Sequence, residues 1–137
     1  RTSSSAASDV YKRQTKIKPA LKQKRVVICD RFIDSTIAYQ VYGKKVNIKF
    51  IKNIHKYILN GLKPNLTFVL KVSSKSSSKR LSKRKVRNRY DKFSQSFYDK
   101  AQKSFIKIAK NKKNYFILDS SKNNSHLEKK IFDITSR

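Results

Sequence analysis

Glycine is nearly absent from this chain: Gly43 and Gly61 are the only two among 137 residues, and neither lies in a Gly-x-x-x-x-Gly-Lys-Ser/Thr run. Without such a run the chain as written has no backbone cradle for the phosphates of a nucleotide. A single cysteine, Cys29, excludes an internal disulfide. Behind Val26-Val27-Ile28 it is expected to be a buried, inert core thiol. The two histidines, His55 and His126, are distant in sequence and lack clustered Cys or acidic partners, so no structural metal is expected. Long apolar runs and a signal-peptide pattern are both missing. No membrane span is expected, and the cytoplasm is the expected compartment.

Acidic residues are few as well: 8 Asp and Glu stand against 35 Lys and Arg, a formal charge of +27 at pH 7. Such a balance suits a polyanionic partner, and a small basic nucleic-acid-binding protein is one reading of it. The excess is mostly Lys spread along the whole chain among many Asn, Ile, Phe and Tyr. An AT-rich coding sequence produces the same pattern, so drift in composition is the competing explanation. The aromatic residues fall in apolar strand and helix stripes, not between basic residues as a base-stacking platform requires. That argues against nucleic acid as the partner.

At 137 residues the chain is one small domain or a piece of one. Residues 1–14 are rich in Ser and Ala and show no apolar period. They read as a translated sequencing scar, or else a flexible tail, outside a domain spanning 15–137. From Thr15 helical and strand patterns alternate. Residues 16–22 resemble the end of a helix, and 25–30 an apolar strand. Residues 47–60 form an amphipathic helix with Ile51, Ile54 and Ile58 on one stripe, Asn47 as N-cap, Gly61 past the C-terminus and Pro64 as a stop. Residues 66–72 are a second strand, 76–85 and 93–110 helices, and 115–119 a third strand. Ser125-His126-Leu127-Glu128 has capping-box form at the head of a last helix that buries Leu127, Ile131 and Ile134. Strands separated by helices imply an α/β fold with a parallel sheet and flanking helices. Three strands are few for such a sheet, so an open edge or an uncovered apolar face is expected.

The chemistry concentrates directly after the first apolar run, in Asp30-Arg31-Phe32-Ile33-Asp34-Ser35-Thr36-Ile37-Ala38-Tyr39-Gln40. The carboxyl end of a buried strand is where open α/β sheets hold their ligands. Arg31 suits an anionic phosphate, Asp30 a metal ion or a proton, and Tyr39 and Gln40 a polar ring. An ordinary strand end with a solvated Asp-Arg pair is the bland alternative. A second basic group holds Lys79, Arg80, Lys83, Arg84, Arg87 and Arg89; Arg80, Arg84 and Arg87 share one helical face at i, i+4 and i+7. A guanidinium can grip a phosphate with two bonds. A solvated basic face is the alternative there.

These motifs resemble those of the thymidylate kinases. Asp30-Arg31-Phe32 followed by Ser35 and then Ala38-Tyr39-Gln40 is similar to the family's central motif. Lys18-Pro19-Ala20-Leu21, Lys63-Pro64-Asn65-Leu66-Thr67, the stretch 79–109 and Ile117-Leu118-Asp119-Ser120-Ser121 resemble, in the same order, further family segments. The resemblance implies a P-loop nucleoside-monophosphate kinase fold, incomplete at its N-terminus. It also implies transfer of the γ-phosphate of ATP to dTMP with Mg²⁺, and a homodimer. Arg31 would hold the dTMP phosphate, and Ser35, Tyr39 and Gln40 the nucleoside. Asp30 would assist proton or metal handling, and Arg80, Arg84 and Arg89 would close from a lid at about 76–92. Arg84, with Asp30 and Arg31, is the implied catalytic set. Asn88, Asp91, Gln102 and Phe105 depart from the family pattern. Lacking the Gly-rich cradle, the chain alone is not expected to catalyse.

Overall fold

The computed structural model describes residues 13–83, 94–121 and 125–136. In order these form a π-helical turn, Arg13–Ile17, then α1 (Lys18–Lys22), α2 (Ile33–Thr36) and a second π-helical segment, Ile37–Gly43. There follow α3 (Ile48–Leu59), β1 (Thr67–Lys71), α4 (Ser74–Ser82), α5 (Gln95–Ala109), β2 (Tyr115–Asp119) and α6 (Ser125–Thr135).

β1 and β2 pair in parallel, Thr67 opposite Tyr115 and Lys71 opposite Asp119. Aromatic and branched side chains fill both, the composition a half-buried pleat favours. A parallel pair needs a crossover, and α4 and α5 supply it. α5 lies against β1, β2 and the segment Ile37–Gly43. Its buried residues are small, Ala101, Ser104 and Ala109, which lets the helix axis come close. Each face of the ladder stays partly open. Ile117 is 39% exposed beside buried Val69, and Leu70 is 50% exposed beside buried Leu118. The uncovered apolar surface expected for so narrow a sheet is present.

α3 follows its local signals. Asn47 Oδ1 accepts from the N–H groups of Lys49 (2.8 Å) and Phe50 (3.3 Å), satisfying two amides of the first turn. Asn60, at φ 45°, and Gly61, at φ 80°, turn the chain out of the helix through the left-handed region. Ile51 is buried and Ile54 and Ile58 are half-buried, the stripe expected from their spacing. In α6, Leu127, Ile131 and Ile134 are likewise half-buried. Ser125 is already inside that helix, so its cap position lies outside the described residues.

The first expected strand does not form. Residues 25–29 carry no ladder bonds among the described residues; Val26 is 91% and Ile28 93% exposed. An apolar run becomes a strand only beside a neighbour that takes its N–H and C=O groups, and neither β1 nor β2 lies there. Cys29 is exposed for the same reason, contrary to its expected burial, and its thiol points to the Arg31 carbonyl at 3.4 Å. Residues 1–12 of the expected tail lie outside the described residues.

The segment Ile37–Gly43 docks through rings. Tyr39 stacks on Phe97 at 5.9 Å between centroids, and Phe105 meets Tyr39 edge-on at 5.9 Å. A Cβ at Gly43 would stand 2.8 Å from Cε2 of Phe97. Gly43→Ala must therefore displace that ring, and overpacking of this kind costs about 1–3 kcal/mol. Denaturant unfolding is expected to show that loss, together with increased mobility of the Phe97 ring.

Candidate functional site: the Asp-Arg turn and the carboxyl ends of the strands

Two groups of candidate side chains stand in different parts of the fold. The first is the turn from Asp30 to Gln40. Asp30 and Arg31 are exposed, and Arg31 sits at φ 64°, a left-handed conformation that costs a non-glycine residue about 1–2 kcal/mol. Strain of this sort persists where the surroundings hold it, and it gathers at functional sites. The Arg31 guanidinium carbon lies 5.6 Å from the Tyr39 ring centroid, within cation–π reach. Ser35 is half-buried, and its N–H donates to the Phe32 carbonyl at 3.0 Å. The Gln40 carbonyl accepts from the Val46 N–H at 2.9 Å, and the Tyr39 carbonyl from the Lys44 N–H at 3.1 Å. The latter is the i→i+5 bond of a π-helix, a form that recurs at functional sites. Ser35, Tyr39 and Gln40 thus share one short, unusual helical stretch, and Arg31 stands just before its start.

The second group caps the strands. Past β1, the Val72 N–H donates to Gln102 Oε1 at 2.7 Å and the Ser73 N–H to Ser121 Oγ at 3.0 Å. Arg80 Nη2, one of the implied lid arginines, donates to the Ser120 carbonyl at 2.6 Å, at the carboxyl end of β2. Arg84 and Arg89 lie outside the described residues, as do Asn88 and Asp91. Two departures from the family pattern acquire roles here: Gln102 closes the end of β1, and Phe105 packs on Tyr39. Asp119 is a strand-terminal turn residue. The Ser121 N–H donates to its Oδ1 at 2.8 Å and Lys71 Nζ stands 3.6 Å away. The Ser121 bond, ahead of Lys71, holds its carboxyl below the ordinary range.

A third polar cluster escaped the sequence reading. Asp34 is 8% exposed, and its Oδ2 accepts from the Tyr115 hydroxyl at 2.8 Å. Lys112 Nζ lies 4.2 Å over the Tyr115 ring. Thr67, opposite Tyr115 in the ladder, buries its hydroxyl without a hydrogen-bond partner among the described residues. His55 on α3 also faces Asp34; burial lowers its pKa more than the carboxylate raises it. The available signal was the i, i+4 pair of Asp34 with fully buried Ala38, which puts a carboxylate on the inward face.

Burial, with the Asp34 bond and charge second, pushes the Tyr115 phenol up to about 12. Folding thus favours the protonated phenol. Its contribution to stability is complete below the ordinary value of 10.0 and is lost as pH rises through about 12. In an alkaline absorbance titration one tyrosinate is expected to form last, and Tyr115→Phe to remove that step. A single wave near the ordinary value for all seven tyrosines would contradict it.

Among the described residues no helix is long and apolar enough to cross a membrane.

Comparison with known proteins agrees with the motif order. The thymidylate kinase family model matches residues 5–131. Thymidylate kinase of Wolbachia pipientis subsp. Culex pipiens (strain wPip) is 40% identical over 121 residues, covering 86% of this chain and 57% of that protein. Thymidylate kinase of the Wolbachia of Brugia malayi is 44% identical over 95 residues, 69% of this chain and 44% of the relative. The crystal structure of Ehrlichia chaffeensis thymidylate kinase superposes with a TM-score of 0.71 at 26% identity, over 96% of this chain and 62% of that one. The chain spans little more than half the length of the wPip relative. The α/β class, a parallel sheet flanked by helices, is common to this chain and that structure. With its family match running over residues 5–131, the chain belongs to the thymidylate kinase family.

Proposed function

We propose that this chain forms the nucleoside-monophosphate side of a dTMP kinase, in which a phosphate oxygen of dTMP attacks the γ-phosphorus of ATP and ADP leaves. The observation that carries the reading is Arg31, held at φ 64° beside Tyr39, in a chain of this family. In that reading the Arg31 guanidinium grips the dTMP phosphate, for which its planar fork is suited. Ser35, Tyr39 and Gln40 line the nucleoside pocket. Arg80, Arg84 and Arg89 close over the ATP phosphates from a lid at 76–92 and stabilise the charge that spreads onto the transferred group. In this reading residues 15–137 are the kinase part, while the family match itself reaches back to residue 5.

Bound together with ATP, Mg²⁺ would offset the charge of the phosphates. Such a site takes one or two carboxylates besides the phosphates. Exposed Asp30 next to Arg31 fits as one of them, with no larger ligand cluster among the described residues. A cytoplasmic homodimer completes the proposal. The test is ATP-dependent formation of dTDP from dTMP, compared with dUMP and dCMP, by this chain joined to a segment carrying a Gly-x-x-x-x-Gly-Lys-Ser/Thr loop.

A further inference from the structure

We infer that Asp34 and Tyr115 form a positioning pair that fixes the turn carrying Arg31 and Ser35 against the first residue of β2, and so sets the phosphate half of dTMP binding. This rests on the function proposed above.

The turn needs such an anchor. α2 has four α-helical residues before it loosens into the π segment, and its N-cap, Phe32, provides no side-chain cap. A helix so short does not hold itself in water. Arg31, directly before it, is in a left-handed conformation that persists only where the surroundings impose it. Asp34 is the first-turn residue that points inward, and its carboxylate meets the Tyr115 hydroxyl 81 positions away in sequence. Tyr115 is itself fixed, by the ladder opposite Thr67 and by Lys112 over its ring. A hydroxyl donating to a buried carboxylate makes a strong and directional hydrogen bond. Asp34 thus ties the start of the motif's helix to the first residue of β2. His55 also faces Asp34, and burial lowers its pKa more than the carboxylate raises it.

The full chain tests this with two ligands, dTMP and thymidine. Tyr115→Phe keeps the ring and removes one hydroxyl. It is expected to weaken dTMP binding roughly tenfold, about the loss of one charge-assisted bond, and thymidine binding, which lacks the Arg31 contact but meets Ser35, by distinctly less. Asp34→Asn keeps an acceptor for the Tyr115 hydroxyl and is expected to retain most of the dTMP preference, whereas Asp34→Ala loses it. In amide exchange, the Ser35 N–H is expected to open faster in Tyr115→Phe, with Ile51 in α3 unaffected. Equal losses for dTMP and thymidine, or unchanged Ser35 exchange, would overturn the positioning role. If the unmodified chain binds no dTMP, the proposed function fails, and the exchange rates alone decide the tether.

Discussion

Replacing Arg31 by alanine is expected to lower kcat/KM for dTMP roughly 10- to 150-fold in an enzyme where this chain is joined to a Gly-rich phosphate loop. The magnitude follows from the charge on both partners. A hydrogen bond to a charged group contributes about 1.5–3 kcal/mol, and each 1.4 kcal/mol is about tenfold in rate. The geometry supports an effect at the upper end. Arg31 is exposed to an incoming ligand and strained at φ 64°, and its guanidinium lies over Tyr39, so little freedom remains to lose on binding. Arg31→Lys keeps the charge without the planar fork and is expected to recover only part of the loss. A silent Arg31→Ala would remove Arg31 from the site.

The larger effect concerns the cradle. Assayed alone, the chain is expected to make no measurable dTDP, because Gly43 and Gly61 stand in no phosphate-binding loop. Gly43 faces the Phe97 ring and Gly61 ends α3, so both already have structural uses. Backbone donors aimed at developing charge account for about 10²- to 10³-fold each in comparable sites, and a cradle supplies several. Adding a segment with a Gly-x-x-x-x-Gly-Lys-Ser/Thr loop is expected to raise turnover from background by more than about 10³-fold. Equal turnover with and without it would show that some other part of the chain does this work.

What the sequence made legible was local. The α3 cap at Asn47 and its exit at Gly61 depend on neighbours a few positions apart, and they stand as read, with Asn60 joining the turn at φ 45°. β1, β2 and α5 followed from apolar period and composition, to within two residues at each end. Residues 26–29 did not, because apolar character marks a segment fit for a strand without providing the neighbour that makes it one. The π segment was hidden because its side chains keep nearly the spacing of an α-helix while the backbone bonds shift by one residue. Asp34 was hidden for the opposite reason: its partner is 81 residues away, and no local pattern encodes that bond. Arg31, Ser35, Tyr39 and Gln40 were legible as a group because their spacing is the motif itself; the last three fall on one continuous helical stretch and Arg31 directly precedes it. Arg80 was placed on a helix as expected, with its bond to Ser120 unforeseen.

The most direct test of the Asp30–Gln40 turn as the dTMP site is an isotope-labelled chain titrated with dTMP and followed by backbone and side-chain resonances. Shifts are expected at Arg31, Ser35, Tyr39 and Gln40, with Phe97 responding through its stack on Tyr39. Saturating dTMP that moves only residues of α3 or α6, and none of that turn, would contradict the assignment.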